Sequence, residues 1–531
     1  SLIKGDGTYS LRASLRSSDG VAFASREAGA ARAPQLIVTL SPLPTSAAAP
    51  PTIVLGTPEP PGGPSALIAG FNHPTMTVPF PYTEPRGKEA TTSLRPMLLR
   101  FPGGTSANFY DWQADRFFGD ASGHVPKVTD WNRNLDANRG GRYGLEDFFS
   151  LAREVGAEPM LVVNLYWPLA LSDEQMAQRA ADWVREVNIV QKRSVKYWEL
   201  GNEYYLRSES ACSKCYADRY PNAAAYVSAA RRAAEAMRAV DPSIYIIVLL
   251  QGPLSFRRAD SRDDSKANAW ADAVAFASPR FFDGVSTHTY IFTSGGELTS
   301  EAGWLFSASQ AQPVRLKDWL QAKFGPGVQN WQTETGVPFN SSPAVQLTVL
   351  EALVDADVIL QNAKFADVHR NLSRHALNLG SEGTWQYCGG DDLFKTVSYH
   401  VYSKLNEVLG RATRAIPTEL SDVPTFSGTH QYSNVQVPVI TAGAWKAADG
   451  SIDLALVNKD GRPLTLKLAG EGVVPNGDAT TYTVSGPIGA KNTCSAPSEV
   501  TPLTNTVSIT GSNPTITVPA YSFTVLTIKP S

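Results

Sequence analysis

The sequence predicts a mixed α/β protein built on a (β/α)8 TIM barrel, with a C-terminal antiparallel β-sandwich and a short N-terminal β segment. Its 531 residues exceed the roughly 250–300 that one hydrophobic core usually holds, so we expect two or three domains. Short apolar runs alternate eight times with longer helical patterns in residues 65–416, which indicates a barrel. Beyond residue 417 the helical period ends, and short runs separated by Gly, Asn, Asp and Pro indicate a sandwich.

The N-terminal region divides into two parts. Residues 1–42 alternate strand-like runs with turn residues, and we interpret them as the remnant of a β module. Segments 18–28 and 33–39 resemble the end of the DNRLRE-type β-sandwich modules found beside secreted enzymes. Residues 43–64 are rich in Pro, Ala, Ser and Thr, a composition that favours neither a ladder nor a helix. We therefore expect a Pro-rich linker or strap at 43–64.

The catalytic barrel is expected at 65–416, and a doubly wound sheet is the alternative architecture. Its predicted strands are the apolar runs 66–70, 97–101, 160–164, 197–200, 244–248, 284–287, 331–333 and 383–386. Helices are predicted at 173–191, where Ser172 and Gln175 form a capping box, and at 222–240. The sandwich is expected at 417–531, with Pro438 at a sheet edge because proline cannot donate to a ladder.

Charge and cysteine content narrow the function classes. The chain has 47 Lys and Arg against 50 Asp and Glu, which gives no basic surface for nucleic acid. No apolar run approaches the roughly 20 residues that span a bilayer. The first residues lack the apolar region of a signal peptide, so we expect a processed or trimmed form. The sequence leaves three alternatives for Cys212 and Cys215: a local disulfide, two free thiols or a metal site. It also does not determine whether Cys388 and Cys494 are paired.

Two predicted barrel strands deliver glutamates to the carboxyl-terminal face. The fourth run leads to Glu203, and the seventh leads to Glu334. Glycosidic bond cleavage needs two such carboxyl groups, one protonated for the leaving oxygen and one ionised at the anomeric carbon. Ordinary surface charges are the alternative, since most glutamates are exposed. We expect a carboxyl separation of about 5–5.5 Å and no metal or organic cofactor.

These residues resemble the signature of clan A of the retaining glycoside hydrolases. The resemblance implies that Glu203 is the general acid/base, that Glu334 is the nucleophile and that Asn202 binds the sugar 2-hydroxyl. It also implies that Arg100 lies beside the nucleophile and keeps it charged. Without the resemblance, Arg100 could equally form a structural ion pair.

Further substrate-binding positions follow from the same resemblance. His288 and Tyr290 match the clan's His-x-Tyr after the sixth strand, and Trp385 matches the aromatic floor on the eighth. A buried structural histidine and core packing of the tryptophan are the alternatives. Asn164 and Trp167 are included only because they follow the third strand.

Within the clan, segments 99–104, 110–112 and 196–203 are similar to the family 51 α-L-arabinofuranosidases, as are 456–458 and 518–526 of the sandwich. The nucleophile segment 332–336 reads closer to family 79, the glucuronidase and heparanase group. The resemblance implies a retaining, α-L-arabinofuranosidase-like hydrolase. A β-glucuronidase, heparanase or endo-glucanase type is the alternative, and a polyuronide lyase or a non-catalytic carbohydrate-binding protein is the alternative of another class.

We expect a polysaccharide or oligosaccharide substrate, no nucleic-acid or membrane partner, and a secreted protein. Two glycosylation sequons, beginning at Asn340 and Asn371, agree with export. The exact sugar, the linkage, the choice between exo and endo cleavage and the oligomeric state stay open.

Overall fold

The computed structural model describes the chain from residue 50 to residue 529 with internal gaps. The described ranges are 50–60, 67–73, 85–118, 128–136, 143–166, 170–206, 216–253, 265–338, 341–378, 382–389, 392–430, 433–470, 477–511 and 514–529. The predicted β remnant at 1–42 and the first part of the predicted linker lie outside these ranges. Trp167, Cys212 and Cys215 lie outside them as well.

The strands and helices occur in two runs of the chain. Up to residue 290 they are β1 Thr52–Leu55, β2 Ala69–Asn72, α1 Pro85–Leu94, β3 Leu98–Phe101, β4 Tyr110–Asp111, β5 Arg116–Phe117, α2 Val128–Asp136, α3 Leu145–Val155, β6 Glu158–Val163, α4 Asp173–Val184, β7 Tyr197–Leu200, α5 Ala223–Val240, β8 Tyr245–Leu249, α6 Ser265–Ala275 and β9 Gly284–Tyr290. From there they are α7 Leu298–Phe324, β10 Gln329–Gly336, α8 Val349–Ala363, β11 His369–Arg374, β12 Trp385–Gly389, β13 Asp392–Lys395, α9 Val397–Arg411, β14 Ala412–Ile416, β15 Thr418–Ser421, β16 Thr425–His430, β17 Ser433–Pro438, β18 Ile440–Ala447, β19 Ile452–Asn458, β20 Leu464–Gly470, β21 Gly477–Ser485, β22 Leu503–Ile509, β23 Thr515–Val518 and β24 Ser522–Ile528.

Eight parallel strands close into a barrel in the order β2-β3-β6-β7-β8-β9-β10-β11, which confirms the predicted fold class. The first seven strands coincide with the predicted apolar runs, because each run is buried between the barrel interior and the surrounding helices. Helix α4 begins with the predicted capping box: the Ser172 hydroxyl accepts from the Gln175 N–H, and the Gln175 side chain accepts from the Ser172 N–H. The Asn222 side chain caps α5 by accepting from the Ala225 N–H at 3.0 Å.

The prediction of the eighth barrel strand at 383–386 was wrong. The eighth strand is β11, whereas β12 pairs with β13 in a separate two-stranded sheet. The sequence of β11 is His-Arg-Asn-Leu-Ser-Arg, so it contains no apolar run. Its polar side chains are buried through hydrogen bonds instead: Asn371 donates to the Leu67 carbonyl, and Ser373 donates to Asn371.

The sandwich consists of a six-stranded sheet, β14-β18-β19-β24-β21-β22, and a four-stranded sheet, β15-β1-β20-β23. Its second sheet includes β1 at Thr52–Leu55, so the expectation that 43–64 forms no ladder was wrong at this segment. Ile53 and Leu55 are fully buried in the core between the sheets. Two buried aliphatic side chains at alternating positions therefore outweigh the surrounding prolines.

Two further features concern the C-terminal part. Pro438 ends β17 in a two-stranded sheet with β16, where each strand is an edge, in agreement with the expectation. A disulfide joins Cys388 in β12 to Cys494 between β21 and β22, with the Cα atoms 5.3 Å apart.

In the part of the chain that the structure describes, no helix has the length and apolar character needed to cross a membrane.

Candidate active site

Arg100 lies at the centre of a buried cluster at the carboxyl ends of the barrel strands. Its Nε donates to Glu199 Oε2 at 2.6 Å, and its Nη1 donates to Glu334 Oε1 at 3.0 Å. Nη1 also donates to Asn72 Oδ1 at 3.0 Å, and Nη2 donates to Asn202 Oδ1 at 2.7 Å. Burial alone would lower the pKa of Arg100, but Glu199 and Glu334 raise it. A cation therefore contacts the predicted nucleophile directly.

Glu334 is buried and held by donors at both carboxylate oxygens. Oε2 accepts from the Tyr290 hydroxyl at 2.6 Å, and Oε1 accepts from Arg100. Burial raises the pKa of this carboxyl, but His288, His375, Arg100 and the Tyr290 hydrogen bond together lower it to about 2. Glu334 is therefore ionised over any ordinary working pH, as a nucleophilic carboxylate must be.

Glu203 follows a tight bend at the end of β7. Gly201 has a φ of 94°, and a Cβ at this position would lie 2.2 Å from the Tyr204 ring, so only glycine fits. Glu203 itself has a φ of 48°. Its Oε1 lies 2.7 Å from His288 Nδ1 and accepts from the Tyr205 hydroxyl at 3.0 Å. The bend thus turns the carboxyl group toward the barrel mouth, where it is more exposed than that of Glu334.

The two carboxylates face each other across a short gap. One oxygen of Glu203 and one of Glu334 lie within 4.8 Å of each other, with His288 between them. A metal ion could in principle use these three groups as ligands. However, both oxygens of Glu334 already accept hydrogen bonds from Arg100 and Tyr290, and the guanidinium cation would repel a metal. The arrangement therefore fits acid–base and nucleophilic chemistry better than metal binding.

Two buried amide groups leave donors available to a ligand. Nδ2 of Asn72 and Nδ2 of Asn202 have no hydrogen-bond partner among the described residues, although both side chains are fully buried. Asn108 fixes the Asn202 backbone by accepting from its N–H at 3.0 Å and donating to its carbonyl at 2.7 Å. A buried donor without a partner is costly, so these amides suit a substrate hydroxyl group.

Comparison with known proteins agrees with this geometry. Residues 90–290 match the family model described as the α-L-arabinofuranosidase 1 domain. The chain is a glycoside hydrolase that over residues 90–290 is similar to the arabinofuranosidases of family 51. The matched segment contains Arg100, Asn202, Glu203, His288 and Tyr290. Glu334 lies beyond it, so the nucleophile assignment depends on the structure and on the clan resemblance.

Solved structures similar to this glycoside hydrolase cover nearly the whole of it. The α-L-arabinofuranosidase of Thermotoga maritima, in an arabinose complex, is 19% identical with a TM-score of 0.69, and the match covers 90% of this chain and 100% of that one. The family 51 arabinofuranosidase of Xanthomonas axonopodis pv. citri is 18% identical with a TM-score of 0.70 and the same coverage. A bifunctional glucanase-xylanase from a metagenome library is 14% identical with a TM-score of 0.59, covering 91% and 99%. At these identities the similarity shows the fold. No curated protein sequence matches the chain significantly.

His375 belongs to the site of this hydrolase but was not identified from the sequence. It follows β11 directly, and its Nδ1 lies 3.1 Å from Glu382 Oε2. Burial lowers the pKa of His375, but Glu382 and Glu334 raise it to about 9. His375 is therefore a second cation near the nucleophile. A correct eighth strand would have revealed it, because it occupies the strand end that carries site residues in a barrel.

Sequence reasoning also missed Glu199 and Thr333. Glu199 pairs with Arg100, and the Thr333 hydroxyl lies between Glu199 and His288 at 3.0 and 3.1 Å. Both side chains are fully buried inside the barrel. Their contacts join the acid/base side of the site to the nucleophile side.

Trp385 has a different position from the one predicted. Trp385 lies in β12 rather than on a barrel strand; its side chain is fully buried and contacts the Tyr387 ring edge-on at 6.1 Å. The predicted position of Trp385 on the eighth barrel strand was therefore wrong, and its role as a floor under the sugar stays a prediction. Asn164 ends β6 as predicted, where it donates to the Tyr110 carbonyl and accepts from the Tyr166 N–H. Trp167 lies outside the described residues.

Proposed function

We propose that this protein hydrolyses glycosidic bonds with retention of the anomeric configuration, with Glu334 as nucleophile and Glu203 as general acid/base. The observation that carries the proposal is that one oxygen of Glu203 and one of Glu334 lie within 4.8 Å of each other, both next to His288 Nδ1. Retaining enzymes hold these groups about 5–5.5 Å apart, whereas inverting enzymes need about 6.5–9.5 Å to admit a water molecule.

The mechanism follows from the contacts. In the first step Glu334 attacks the anomeric carbon, the bond to the leaving oxygen breaks, and Glu203 gives its proton to that oxygen. In the second step Glu203 takes a proton from water, whose oxygen attacks the anomeric carbon and displaces Glu334. Arg100 and Tyr290 hold the carboxylate of Glu334 in position throughout. Their preorganised charge and dipole stabilise the same carboxylate when it leaves again.

For the substrate we propose an α-L-arabinofuranoside carried by a polysaccharide or oligosaccharide. The family-model match to an arabinofuranosidase domain supports this choice. The buried donors on Asn72 and Asn202 support hydroxyl-rich ligands in general.

A panel of 4-nitrophenyl glycosides tests the proposal. The α-L-arabinofuranoside should be cleaved faster than the β-glucuronide, β-xyloside and β-glucoside, and proton NMR of the first product should show the retained anomer. A first product of inverted configuration would contradict the mechanism. Preference for the glucuronide would move the substrate assignment toward the family 79 type. An unsaturated product absorbing in the ultraviolet would indicate a lyase instead.

We also propose that the protein acts outside the cell. The disulfide between Cys388 and Cys494 supports this location, because disulfides persist in oxidising compartments. The sequon at Asn371 gives no support, since Asn371 is fully buried in β11. Activity recovered from the culture medium of the source cells, with little in the cells, would agree; the reverse distribution would contradict the proposal.

A further inference from the structure

The hydroxyl group of Thr333 connects His288 to Glu199. Thr333 Oγ1 lies 3.0 Å from Glu199 Oε1 and 3.1 Å from His288 Nε2. A hydroxyl has one proton to donate, and the carboxylate of Glu199 can only accept. Its other oxygen, Oε2, accepts from Arg100 Nε at 2.6 Å. Thr333 therefore donates to Glu199, and its oxygen accepts from His288, which requires a proton on Nε2.

The proton on Nε2 fixes what the other ring nitrogen can do. A neutral imidazole carries one N–H, so Nδ1 of His288 must then be an acceptor. The atom facing it at 2.7 Å is Oε1 of Glu203. A hydrogen bond at this distance needs one proton between the two atoms, held either as the carboxylic acid of Glu203 or as the imidazolium of His288. Either way, the pair stores one proton next to the leaving-group position.

We infer that Thr333 and Glu199 are positioning residues that lock a proton on Nε2 of His288, and that this lock keeps the proton shared by His288 Nδ1 and Glu203 available to the leaving oxygen. The inference depends on the proposed function, in which Glu203 protonates the leaving oxygen. It extends that function by assigning a role to two buried residues that contact no reacting atom.

The proton balance explains why the lock matters. After Glu203 gives its proton to the leaving oxygen, it is a carboxylate facing the lone pair of Nδ1. Two acceptors then lie 2.7 Å apart, which favours removal of a proton from the incoming water. In the other tautomer, Nδ1–H would donate to the carboxylate and stabilise it. Glu203 would then hold its proton less firmly and act as a weaker base in the second step.

Other charged and titratable groups surround His288. They are Glu199, Glu203 and Tyr205 from β7 and the loop that follows it, Glu334 from β10, Tyr290 from β9, Arg100 from β3 and His375 after β11. Glu334 Oε2 lies 3.3 Å from Nδ1 but accepts its hydrogen bond from Tyr290. Thr333 Oγ1 faces Nε2 at 3.1 Å, so the tautomer is controlled from the Thr333 side.

Kinetics of Thr333→Val test the lock. Valine has the shape of threonine without the hydroxyl, so His288 loses the acceptor at Nε2. We expect kcat/KM to fall about tenfold to a hundredfold for substrates with a poor leaving group, which need the acid. For dinitrophenyl glycosides, which leave without protonation, kcat/KM should change less than about threefold. The alkaline limb of the pH profile should move to lower pH, and Thr333→Ser should restore it.

Thr335→Val is the matched control. Thr335 is buried on the same strand, and its hydroxyl donates to the Thr289 carbonyl at 2.8 Å rather than to the network around His288. This variant should leave the leaving-group dependence and the alkaline limb unchanged. Equal losses on both substrate types in Thr333→Val, or the same pattern in Thr335→Val, would show a merely structural role and overturn the inference.

Nitrogen NMR reads the tautomer without relying on hydrolysis. The chain has seven histidines, so selective ¹⁵N labelling gives a tractable imidazole spectrum, and His288→Gln identifies the signals of His288. The neutral form reached at rising pH should carry its proton on Nε2 in the unmodified protein and shift toward Nδ1 in Thr333→Val. A neutral form with its proton on Nδ1 in the unmodified protein would overturn the inference. Failure of the proposed function would instead show as inverted product or absent hydrolysis, with this spectrum unaffected.

Discussion

Two fully buried arginines each lie between two buried carboxylates, yet the two clusters behave differently. The first is Arg100 with Glu199 and Glu334, and the second is Arg374 with Glu351 and Asp355. The Arg100 cluster lies among the carboxyl ends of barrel strands. The Arg374 cluster lies between β11 and helix α8, where Ser398 also donates to Asp355 at 2.7 Å and the Leu347 N–H donates to Glu351.

The surroundings decide the protonation of each cluster. Burial raises the pKa of Glu351 to about 7, although Arg374 lowers it. At Glu334 burial acts in the same direction, but two histidines, Arg100 and a tyrosine hydroxyl lower the pKa to about 2. At Glu334 the additional positive groups lower the pKa and keep the buried carboxyl group ionised, as a nucleophile must be. At Glu351 Arg374 does not offset the effect of burial, and the group is structural. The ion pair alone does not distinguish a catalytic from a structural cluster.

The same substitution at the two glutamates should separate the clusters most strongly. Glu334→Gln removes the nucleophile, and we expect kcat/KM to fall about 10⁴-fold or more with the thermal unfolding temperature little changed. Glu351→Gln should leave kcat/KM within about tenfold of the unmodified value, because Glu351 contacts no reacting group. Activity assays with melting curves check both. Near-normal turnover in Glu334→Gln would refute the nucleophile assignment.

Removing the second arginine should cost stability rather than chemistry. Arg374→Met leaves Glu351 and Asp355 buried without a cation, which should lower the free energy of unfolding by about 3–5 kcal/mol. Arg462→Met is the control, since the Arg462 side chain is 77% exposed and a surface change should stay within about 0.5 kcal/mol. Denaturant unfolding measures both. Equal effects would mean that the Arg374 cluster contributes little to the fold.

Glu351 also predicts a pH dependence of stability. Its pKa in the folded protein is raised from 4.5 to about 7, so the folded state binds the proton more tightly than the unfolded state. The stabilisation is full below about pH 4.5 and is lost as the pH rises through about 7. In the unmodified protein the free energy of unfolding should decrease by on the order of 1–3 kcal/mol between these pH values, and Glu351→Gln should remove this decrease. Denaturant unfolding at each pH measures both. An unchanged slope in the variant would assign the dependence to other groups.

The smallest expected effect concerns the second cation near the nucleophile. His375 has a pKa of about 9 and is charged at working pH, so His375→Gln removes a positive charge beside Glu334. The pKa of Glu334 should rise, and the acid limb of the kcat/KM profile should move up by about 0.5–1 pH unit. His400→Gln in α9 is the control, because burial lowers the pKa of His400 to about 4 and leaves it uncharged there. An acid limb that moves in the control but not in His375→Gln would contradict the proposed role.

The fold was predictable wherever burial is achieved with apolar side chains. The barrel strands β2, β3, β6, β7 and β8 contain apolar runs, and the strand ends predict Glu203 and Glu334 on one face. The eighth strand was missed because β11 buries Asn371, Ser373 and Arg374 through hydrogen bonds and ion pairs. A hydropathy pattern contains no information on such pairing, since the partners are distant in sequence.

The same limit applies to the site. Residues with a motif were identified, namely Asn202, Glu203 and Glu334, and the structure brings them together around Arg100. His375 and Thr333 have no motif, and their importance arises from which groups they contact across strands. Trp385 shows an error of position, because its segment was assigned to the eighth barrel strand and lies in β12 instead.

The short strand β1 has a consequence for synthesis of the chain on the ribosome. Its partners β15 and β20 lie over 360 residues further along the chain, after all the barrel strands. At translation rates of about 5–20 residues per second, β1 waits roughly 20–70 seconds before either partner emerges. The barrel strands, in contrast, emerge in the order in which they pair. The barrel can therefore form during translation, whereas the sandwich closes only after β20 to β24 have emerged.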